Sequence, residues 1–423
     1  MASLVLINYL PSRAEPESGR IRWERSASKS VPALPQICWI DGSTWGEANL
    51  WALHQATSQK KDLATVTRSM SHLAAYAKWL EAESIHWWHF PARESERCLN
   101  RFRGALVSAR NDGQLAPSTA SQRMATVVRF YRWLKSTNLL STQWPMWNER
   151  QIGIRLKDGF GFEHTLRVTS TDLSIPNRKA AGSLTLEDGL LPVSIVQMNE
   201  ILRFAKRAAS EETWLMLLLG FRSGLRIGTI ADLKVHTLTN ASIDPIVGWH
   251  RIAVGPGARP PVATKFDVNG MVPIMDDVLD EIRKYSTSTR RLKRQALAKE
   301  EDRDIIFLNR FGRPYGSDES RAINVAMSRL RSQGISEGVS SLHDFHFHRT
   351  RATFATELMR AALSCMSTPD AIDLVRESCL HRDETTTLRY VKFIQRTAAM
   401  AEAADAFTEA FLGLAKGQVA PRA

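Results

Sequence analysis

Apolar residues recur at steps of three and four positions along two long parts of this sequence, and that spacing restricts both parts to packed helices. In the first part the pattern is clearest at Val66, Met70, Leu73, Ala77 and Leu80. A stretch between the two parts is rich in Gly, Asp, Ser, Thr and Pro and has little periodicity. Because 423 residues exceed one ordinary domain, we predict two domains. The predicted divisions are an N-terminal arm of unknown role (1–43), a helical domain (44–142), a linker (143–189), a second domain (190–396), and a C-terminal helix and tail (397–423).

The second domain mixes helices with a few strands. Ser194 followed by Gln197 predicts a capping box that starts a helix. An apolar helix, 213–221, is followed by a short helix at 227–233. Three short strands are predicted at 249–254, 262–267 and 271–274, and helices return after Asp276. The predicted fold class is therefore mostly α with a small antiparallel β-sheet.

Charge favours a polyanionic partner. The chain has 56 Lys and Arg against 44 Asp and Glu, a formal net charge of +12, which suits nucleic acid or an anionic membrane surface. The longest apolar run, 214–220, is far below the roughly 20 residues that cross a bilayer. We therefore expect a soluble, cytoplasmic protein.

One predicted helix of the first domain, which begins at Pro117, has a basic side that could follow a phosphate backbone. The candidate DNA-binding residues are Arg123, Arg129, Arg132 and Lys135. The alternative is a solvated helix face without a partner. The tryptophans of this domain are predicted to be core residues rather than platforms for base stacking: Trp79, Trp87, Trp88 and Trp133.

The second domain carries cationic and nucleophilic side chains in a defined order. Arg226 follows a tight turn at the start of a helix, where backbone N–H groups favour an anion. His348 and Arg351 lie three residues apart, so they project from one helix face and can bind one phosphate. His381 precedes Tyr390 by nine residues. Each residue alone has an ordinary structural alternative, and only the combination points to chemistry.

This order resembles the tyrosine recombinase, or phage integrase, family. Ser223-Gly-Leu-Arg-Ile resembles the first arginine box of that family, and Arg351-Ala-Thr-Phe-Ala-Thr resembles the second. His381 and Tyr390 have the family's spacing. The family also has a lysine on a β-hairpin, and Lys265 occupies the matching place. The segment 44–142 looks like the family's core-binding domain, so the resemblance covers roughly 44–395.

The sequence departs from the family pattern at three positions near these boxes. Thr229 stands where an acidic residue is usual, Ala352 replaces a common histidine, and Leu380 replaces the glycine before His381. The stretch from the first arginine to Lys265 is also longer than usual. None of these departures removes a reacting group.

The resemblance implies a site-specific DNA recombinase, or integrase, with no cofactor. It would cut and rejoin strands through a 3′-phosphotyrosine intermediate and a Holliday junction, without ATP or metal. Arg226 and Arg351 would neutralise the scissile phosphate with permanently charged, bidentate donors. Arg222 and Arg349 are nearby candidates for these two roles, but the family register selects the other pair.

The remaining groups receive roles from the same resemblance. Tyr390 would attack phosphorus, and His381 would donate a hydrogen bond to a non-bridging oxygen. His348 would orient the phosphate or accept the tyrosine's proton, and Lys265 would protonate the departing 5′ oxygen.

Members of the family work as a homo-tetramer on two paired double-stranded DNA sites, with a dimer on each site. Companion recombinases or accessory DNA-bending proteins are further partners that this implies. Phe407, Phe411 and Leu414 fall on one face of a predicted helix. That face either docks in a neighbouring protomer or packs on its own domain.

Two other functions fit the same residues. One is a DNA-binding protein with a decayed active site, and the other is a type IB topoisomerase, which shares this chemistry but does not choose a sequence. A metal site is a third interpretation, of His343, His346 and His348. We disfavour it because no carboxylate or cysteine spacing accompanies the histidines.

Overall fold

The computed structural model describes residues 1–17, 20–26, 30–157, 163–177, 186, 189–245, 248–316 and 322–412. They belong to two compact units, Met1–Ala181 and Gly182–Ala423. Helices predominate, and the strands form small antiparallel sheets of two or three strands, which confirms the predicted fold class. No helix in the described ranges is long and apolar enough to span a bilayer.

Four helices form the centre of the first unit. They are α1 (Gly46–Thr57), α2 (Leu63–Ala82), α3 (Cys98–Asn111) and α4 (Pro117–Ser136). Helix α2 begins where the Asp62 carboxylate accepts hydrogen bonds from the backbone N–H groups of Ala64 and Thr65. The apolar positions identified from the sequence, such as Val66 and Leu80, are buried. They pack between α2 and α4 in one core.

Strands cover the beginning and end of this unit. Strands β1 (Ser3–Tyr9) and β4 (Val31–Cys38) pair, as do β2 (Ser12–Glu17) and β3 (Arg20–Arg25). Leu34 and Ile37 are buried in the helical core, so the first 43 residues pack on the helices of this unit.

The segment expected to be irregular contains a hairpin of two nine-residue strands, β5 (Glu149–Lys157) and β6 (Glu163–Thr171). The expectation of little regular structure there was wrong. Ile152, Ile154 and Leu156 alternate with other residues in the sequence, which is the period of a strand. The residues at 158–161, which had suggested a linker, lie outside the described part of the chain.

The core interpretation of the tryptophans holds for three of the four. Trp87 is buried, and Trp79 and Trp133 pack against the core. For Trp88 it was wrong, because this side chain is 51% exposed and stacks on His86. The two adjacent indoles lie in a turn with their planes at 89°, so only one of them faces the core.

The second unit is built around α6. Its helices are α5 (Ile195–Ala208), α6 (Glu211–Ser223), α7 (Ile227–Ala231), α8 (Val235–Thr239), α9 (Asp276–Ser286), α10 (Thr289–Leu297), α11 (Ala322–Ser336), α12 (His348–Cys365), α13 (Thr368–Ser378) and α14 (Glu384–Leu412). The capping box of Ser194 and Gln197 at the start of α5 is confirmed. Helix α6 packs against α5, α9 and α12. Phe407 and Phe411 belong to a part of α14 whose side chains are not described, and Leu414 lies outside the described residues.

A three-stranded antiparallel sheet completes this unit. Its strands are β7 (Ser242–Ile243), β8 (His250–Val254) and β9 (Gly270–Ile274), and Ile252 lies opposite Val272. The predicted strand at 262–267 was wrong. Val262 forms only a bridge to Gly255, and Lys265–Asp267 is a turn of 3₁₀ helix. Positive φ angles at Phe266 and Asp267 are incompatible with an extended strand.

Candidate active site

Helix α12 positions two of the predicted residues. His348 is the first residue of the helix and is half-buried, and Arg351 lies one turn later and is 2% exposed. The helix is enclosed by α6, α13 and α14. The predicted i, i+3 relationship therefore exists, with the arginine in the interior and the histidine nearer the surface.

The guanidinium of Arg351 joins two distant segments of the chain. Its Nη1 donates to the carbonyl oxygen of Gly224 at 2.8 Å, and its Nη2 donates to the carbonyl oxygen of Cys379. Gly224 lies two residues before Arg226, and Cys379 lies two residues before His381. One buried side chain thus brings three of the predicted segments together.

Arg226 owes its place to the turn before it. The residue is half-buried at the N-cap position of α7. Gly224 has φ +65°, and a Cβ there would collide with the ring of Phe354 on α12. Only glycine satisfies both conditions without strain, so this turn lies directly against the helix that carries Arg351.

His381 and Tyr390 lie against each other. The His381 ring is 6% exposed, its Nδ1 is 2.9 Å from Thr387 Oγ1, and it stacks on the Tyr390 ring with centroids 5.9 Å apart. Tyr390 is 0% exposed and packs in a cluster with Ala352 and Ala355. Its hydroxyl can therefore contact an external phosphate only after the residues that cover it move.

Lys265 lies in an exposed loop (residues 264–268, the Lys265 loop) beside the His381 segment. Its Nζ is 5.3 Å from the centre of the Phe266 ring, and the Cζ of Arg382 is 5.9 Å from the same ring. Leu380 packs against Gly270, at the end of the loop, where a Cβ would collide with it. The loop is therefore adjacent to His381, which follows Leu380.

The departures from the family pattern are accommodated in the packing. Leu380 has φ 51°, a left-handed conformation that glycine adopts at lower cost. Its side chain is 8% exposed and joins the core, in the space left by Gly270. Ala352 is buried in the cluster around Tyr390, and Thr229 is 4% exposed within α7.

The two competing arginines are engaged elsewhere. Arg349 donates to the backbone oxygens of Leu191 and Asp344, at 2.9 and 3.1 Å, so it fixes the start of α12. Arg222 lines an apolar cavity of about 380 Å³ together with Trp249 and Phe354.

Among the residues that the structure describes, no group of three or more His, Cys, Asp or Glu side chains is arranged to hold a metal ion. His343, His346 and His348 therefore do not form such a group.

The first unit has a basic face formed by α2 and α4 (Arg68, His72, Arg123 and Arg129, the α2–α4 basic face). Burial, followed by the charges of Arg123, Arg129 and Arg68, holds the pKa of His72 below its ordinary value. The proximity of these cations concentrates positive charge on one surface.

Sequence reasoning missed Arg68 and His72, although their spacing of four residues places them on one side of α2. The other two predicted residues of α4 lie apart from this face. Arg132 is 3.8 Å from Glu149 and lies over Trp147, and Lys135 is exposed in the last turn of α4.

Comparison with known proteins gives a family for the second unit. The family model described as "Phage integrase family" matches residues 194–394. A search of the curated proteins found no match.

Three solved structures illustrate the similarity in fold. The integrase of transposon Tn1549, in complex with a circular intermediate DNA, is 13% identical, with 81% of this chain and 94% of that chain covered and a TM-score of 0.49. A lambda integrase dimer bound to a COC′ core site is 10% identical, with 82% and 76% covered and a TM-score of 0.47. XerA recombinase is 13% identical, with 84% and 98% covered and a TM-score of 0.34.

Proposed function

Residues 194–394 make this chain a member of the phage integrase family, the tyrosine-type site-specific recombinases, and we propose that Tyr390 is the nucleophile with which it cuts DNA. The observation that carries the proposal is the pair of hydrogen bonds from Arg351 to Gly224 and Cys379. They hold the segments of Arg226 and His381 around one buried arginine. His381 in turn lies against Tyr390.

The cationic groups suit a phosphodiester in the course of cleavage. Negative charge builds on the non-bridging oxygens as a fifth oxygen approaches phosphorus, and preorganised donors stabilise that charge. In our proposal Arg226 and Arg351 bind these oxygens, and His381 donates a further hydrogen bond from Nε2.

Atoms and charges balance without ATP or metal. The Tyr390 oxygen forms a bond to phosphorus and gives its proton to His348, while the bond from phosphorus to the 5′ oxygen breaks and Lys265 protonates that oxygen. The product is a 3′-phosphotyrosine, which keeps the energy of the phosphodiester. Attack by a 5′ hydroxyl from a second duplex reverses the reaction and exchanges strands.

Tyr390 must become accessible for this reaction. Because the side chain is 0% exposed, we propose that DNA binding displaces the residues that cover it. A tyrosine sheltered in the absence of DNA would not react with other phosphate esters.

Exchange between two duplexes requires more than one copy of the chain, since each Tyr390 cuts one strand. We propose a dimer on each site, a tetramer on two paired sites, and a Holliday junction between the two rounds of cleavage. The α2–α4 basic face would contact the phosphate backbone, together with Arg132 and Lys135.

Covalent capture tests the proposal. A library of nicked duplexes of random sequence is incubated with the protein, and DNA that stays attached after denaturation is sequenced. We expect attached DNA that shares a sequence motif, and none with Tyr390→Phe. The control is Tyr315→Phe, which changes another buried tyrosine of the same unit and should leave the adduct intact.

Three outcomes would contradict the proposal. An adduct that persists in Tyr390→Phe excludes this nucleophile. DNA binding without any adduct favours a DNA-binding protein with a decayed site. Relaxation of any supercoiled plasmid by the protein alone, without a preferred sequence, favours a topoisomerase.

A further inference from the structure

The backbone of the Lys265 loop has an unusual conformation. Phe266 and Asp267 are consecutive non-glycine residues with φ of 65° and 55°, in the left-handed region that residues with a Cβ rarely adopt. Such conformations persist only where surrounding contacts hold them, and they are frequent at functional sites. Here Thr264 Oγ1 donates to the Val268 carbonyl oxygen at 2.7 Å across the turn, and the Ala263 N–H donates to Asp232.

This conformation places the Phe266 ring among cations instead of in the core. The ring is 64% exposed, although burial would stabilise it by the hydrophobic effect. Lys265 Nζ and Arg382 Cζ lie 5.3 and 5.9 Å from its centre. The faces of an aromatic ring attract cations within about 6 Å, so the ring holds together two cations that repel each other.

We infer that Phe266 is a positioning residue for Lys265, and this inference rests on the proposed function. Arg382 directly follows His381, so the contact between Phe266 and Arg382 fixes the Lys265 loop beside the His381 segment. The contact between Phe266 and Lys265 directs the ammonium group toward the same place. Phe266 itself exchanges no proton and forms no bond with phosphorus.

The inference assigns Phe266 to one half of the cleavage step. Lys265 protonates the departing 5′ oxygen, so loss of the ring should impair departure of this group while leaving attack by Tyr390 unchanged. A leaving group that needs no proton should remove the dependence on Phe266. Sulfur in place of the bridging 5′ oxygen provides one, because a thiol has a pKa near 8.5 and leaves as a thiolate.

The experiment compares two nicked duplexes of the sequence recovered by covalent capture, one with oxygen and one with sulfur at the bridging 5′ position. With oxygen, we expect Phe266→Leu to slow adduct formation about 2- to 30-fold, the range that a cation–π contact can supply. With sulfur, the rate should equal that of the unchanged protein. Lys265→Ala should show the same pattern with a larger loss, and Phe266→Trp should retain the rate on both.

Phe311→Leu is the matched control. Phe311 is 63% exposed, and the Cζ of Arg310 lies 4.6 Å from its ring centre, but the ring has no contact with Lys265. This variant should cleave both duplexes at the unchanged rate. Both substitutions remove an exposed ring, so a general effect of that loss would be common to them.

Equal slowing of Phe266→Leu on both duplexes would overturn the inference, since it would indicate a role in DNA binding or in attack. An unchanged rate on the oxygen duplex would overturn it as well. In either case the adduct at Tyr390 still forms in the unchanged protein, and the proposed function stands. If the unchanged protein forms no adduct with either duplex, the proposed function itself fails.

Discussion

The imidazole of His381 lies face to face with the phenol ring of Tyr390, with 5.9 Å between the ring centres and 14° between the planes. Helix α14 begins between the two residues, and Thr387 in its first turns is 2.9 Å from His381 Nδ1. The helix that carries the tyrosine therefore also orients the imidazole. When the Thr387 hydroxyl donates to Nδ1, the ring proton is on Nε2, the tautomer that can donate to a phosphate oxygen.

Thr387→Val should slow adduct formation about 10- to 100-fold, because valine keeps the shape of the side chain but cannot orient the imidazole. Thr387 is 0% exposed, so the lost hydrogen bond should also lower the free energy of unfolding by about 1–2 kcal/mol. The rate is measured by single-turnover cleavage of a nicked duplex. Thr385→Val, at an exposed position of the same helix, should change neither quantity. Full activity of Thr387→Val would show that the hydroxyl does not orient His381.

Arg351→Lys should impair both folding and cleavage. A lysine cannot reach the carbonyl oxygens of Gly224 and Cys379 together, as the guanidinium does. We expect adduct formation to fall by about 100-fold or more and the free energy of unfolding to fall by about 1–3 kcal/mol.

Arg360→Lys provides the comparison for Arg351→Lys on the same helix. Arg360 is exposed and pairs with Glu357 at 2.7 Å, an ion pair of a kind that contributes little to stability. It should leave cleavage and unfolding unchanged. A fully active Arg351→Lys protein would refute the role of this guanidinium.

The predictable part of the candidate site consists of short segments. Arg226, the His348–Arg351 pair, and the His381–Tyr390 pair each stand in a recognisable local spacing, and the positions of α5 and α6 follow from apolar periodicity and a capping box. Local spacing carries such information because the backbone of one helix or turn fixes it. Assembly of the segments depends on long-range contacts, such as the bond from Arg351 to Gly224, 127 residues away.

The features that sequence reasoning missed depend on contacts of that kind. Arg382 gains meaning only from its contact with Phe266, 116 residues earlier, and Arg68 and His72 only from the arginines of α4. The strand assigned to 262–267 failed for a local reason. Its apolar and β-branched residues favour a strand, but the left-handed backbone at Phe266 and Asp267 prevents one.

The α2–α4 basic face can be tested through the salt dependence of DNA binding. A protein that contacts phosphates releases condensed counterions, and each contact adds about 0.9 to the slope of log K against log salt. The double variant Arg123→Gln, Arg129→Gln should therefore lower the slope by about 2. Arg93→Gln, at an exposed arginine of the same unit that pairs with Glu96, should leave it unchanged. An unaltered slope in the double variant would exclude this face from the interface.

Glu212 is a buried carboxylate, 0% exposed, at the start of α6. Its Oε1 lies 2.7 Å from Arg290 Nε and 2.8 Å from Arg294 Nη1, and it accepts a hydrogen bond from Tyr285 at 2.9 Å. Burial acts to raise the pKa of Glu212, but the hydrogen bond from Arg290 and the charge of Arg294 outweigh burial. The pKa therefore lies below its ordinary value of 4.5.

A carboxylate with a depressed pKa stabilises the folded state fully above its unfolded pKa, and that contribution is lost as pH falls through the folded value. We therefore expect Glu212→Gln to lower the free energy of unfolding by about 3–5 kcal/mol at pH 7, because two arginines lose their buried partner. The difference from the unchanged protein should shrink below pH 4.5, as measured by urea unfolding across a pH series. Glu211→Gln removes the exposed neighbouring carboxylate, 3.8 Å from Arg290, and should cost at most about 1 kcal/mol. If Glu212→Gln leaves the pH dependence of unfolding unchanged, the ionised carboxylate does not anchor α10 to α6.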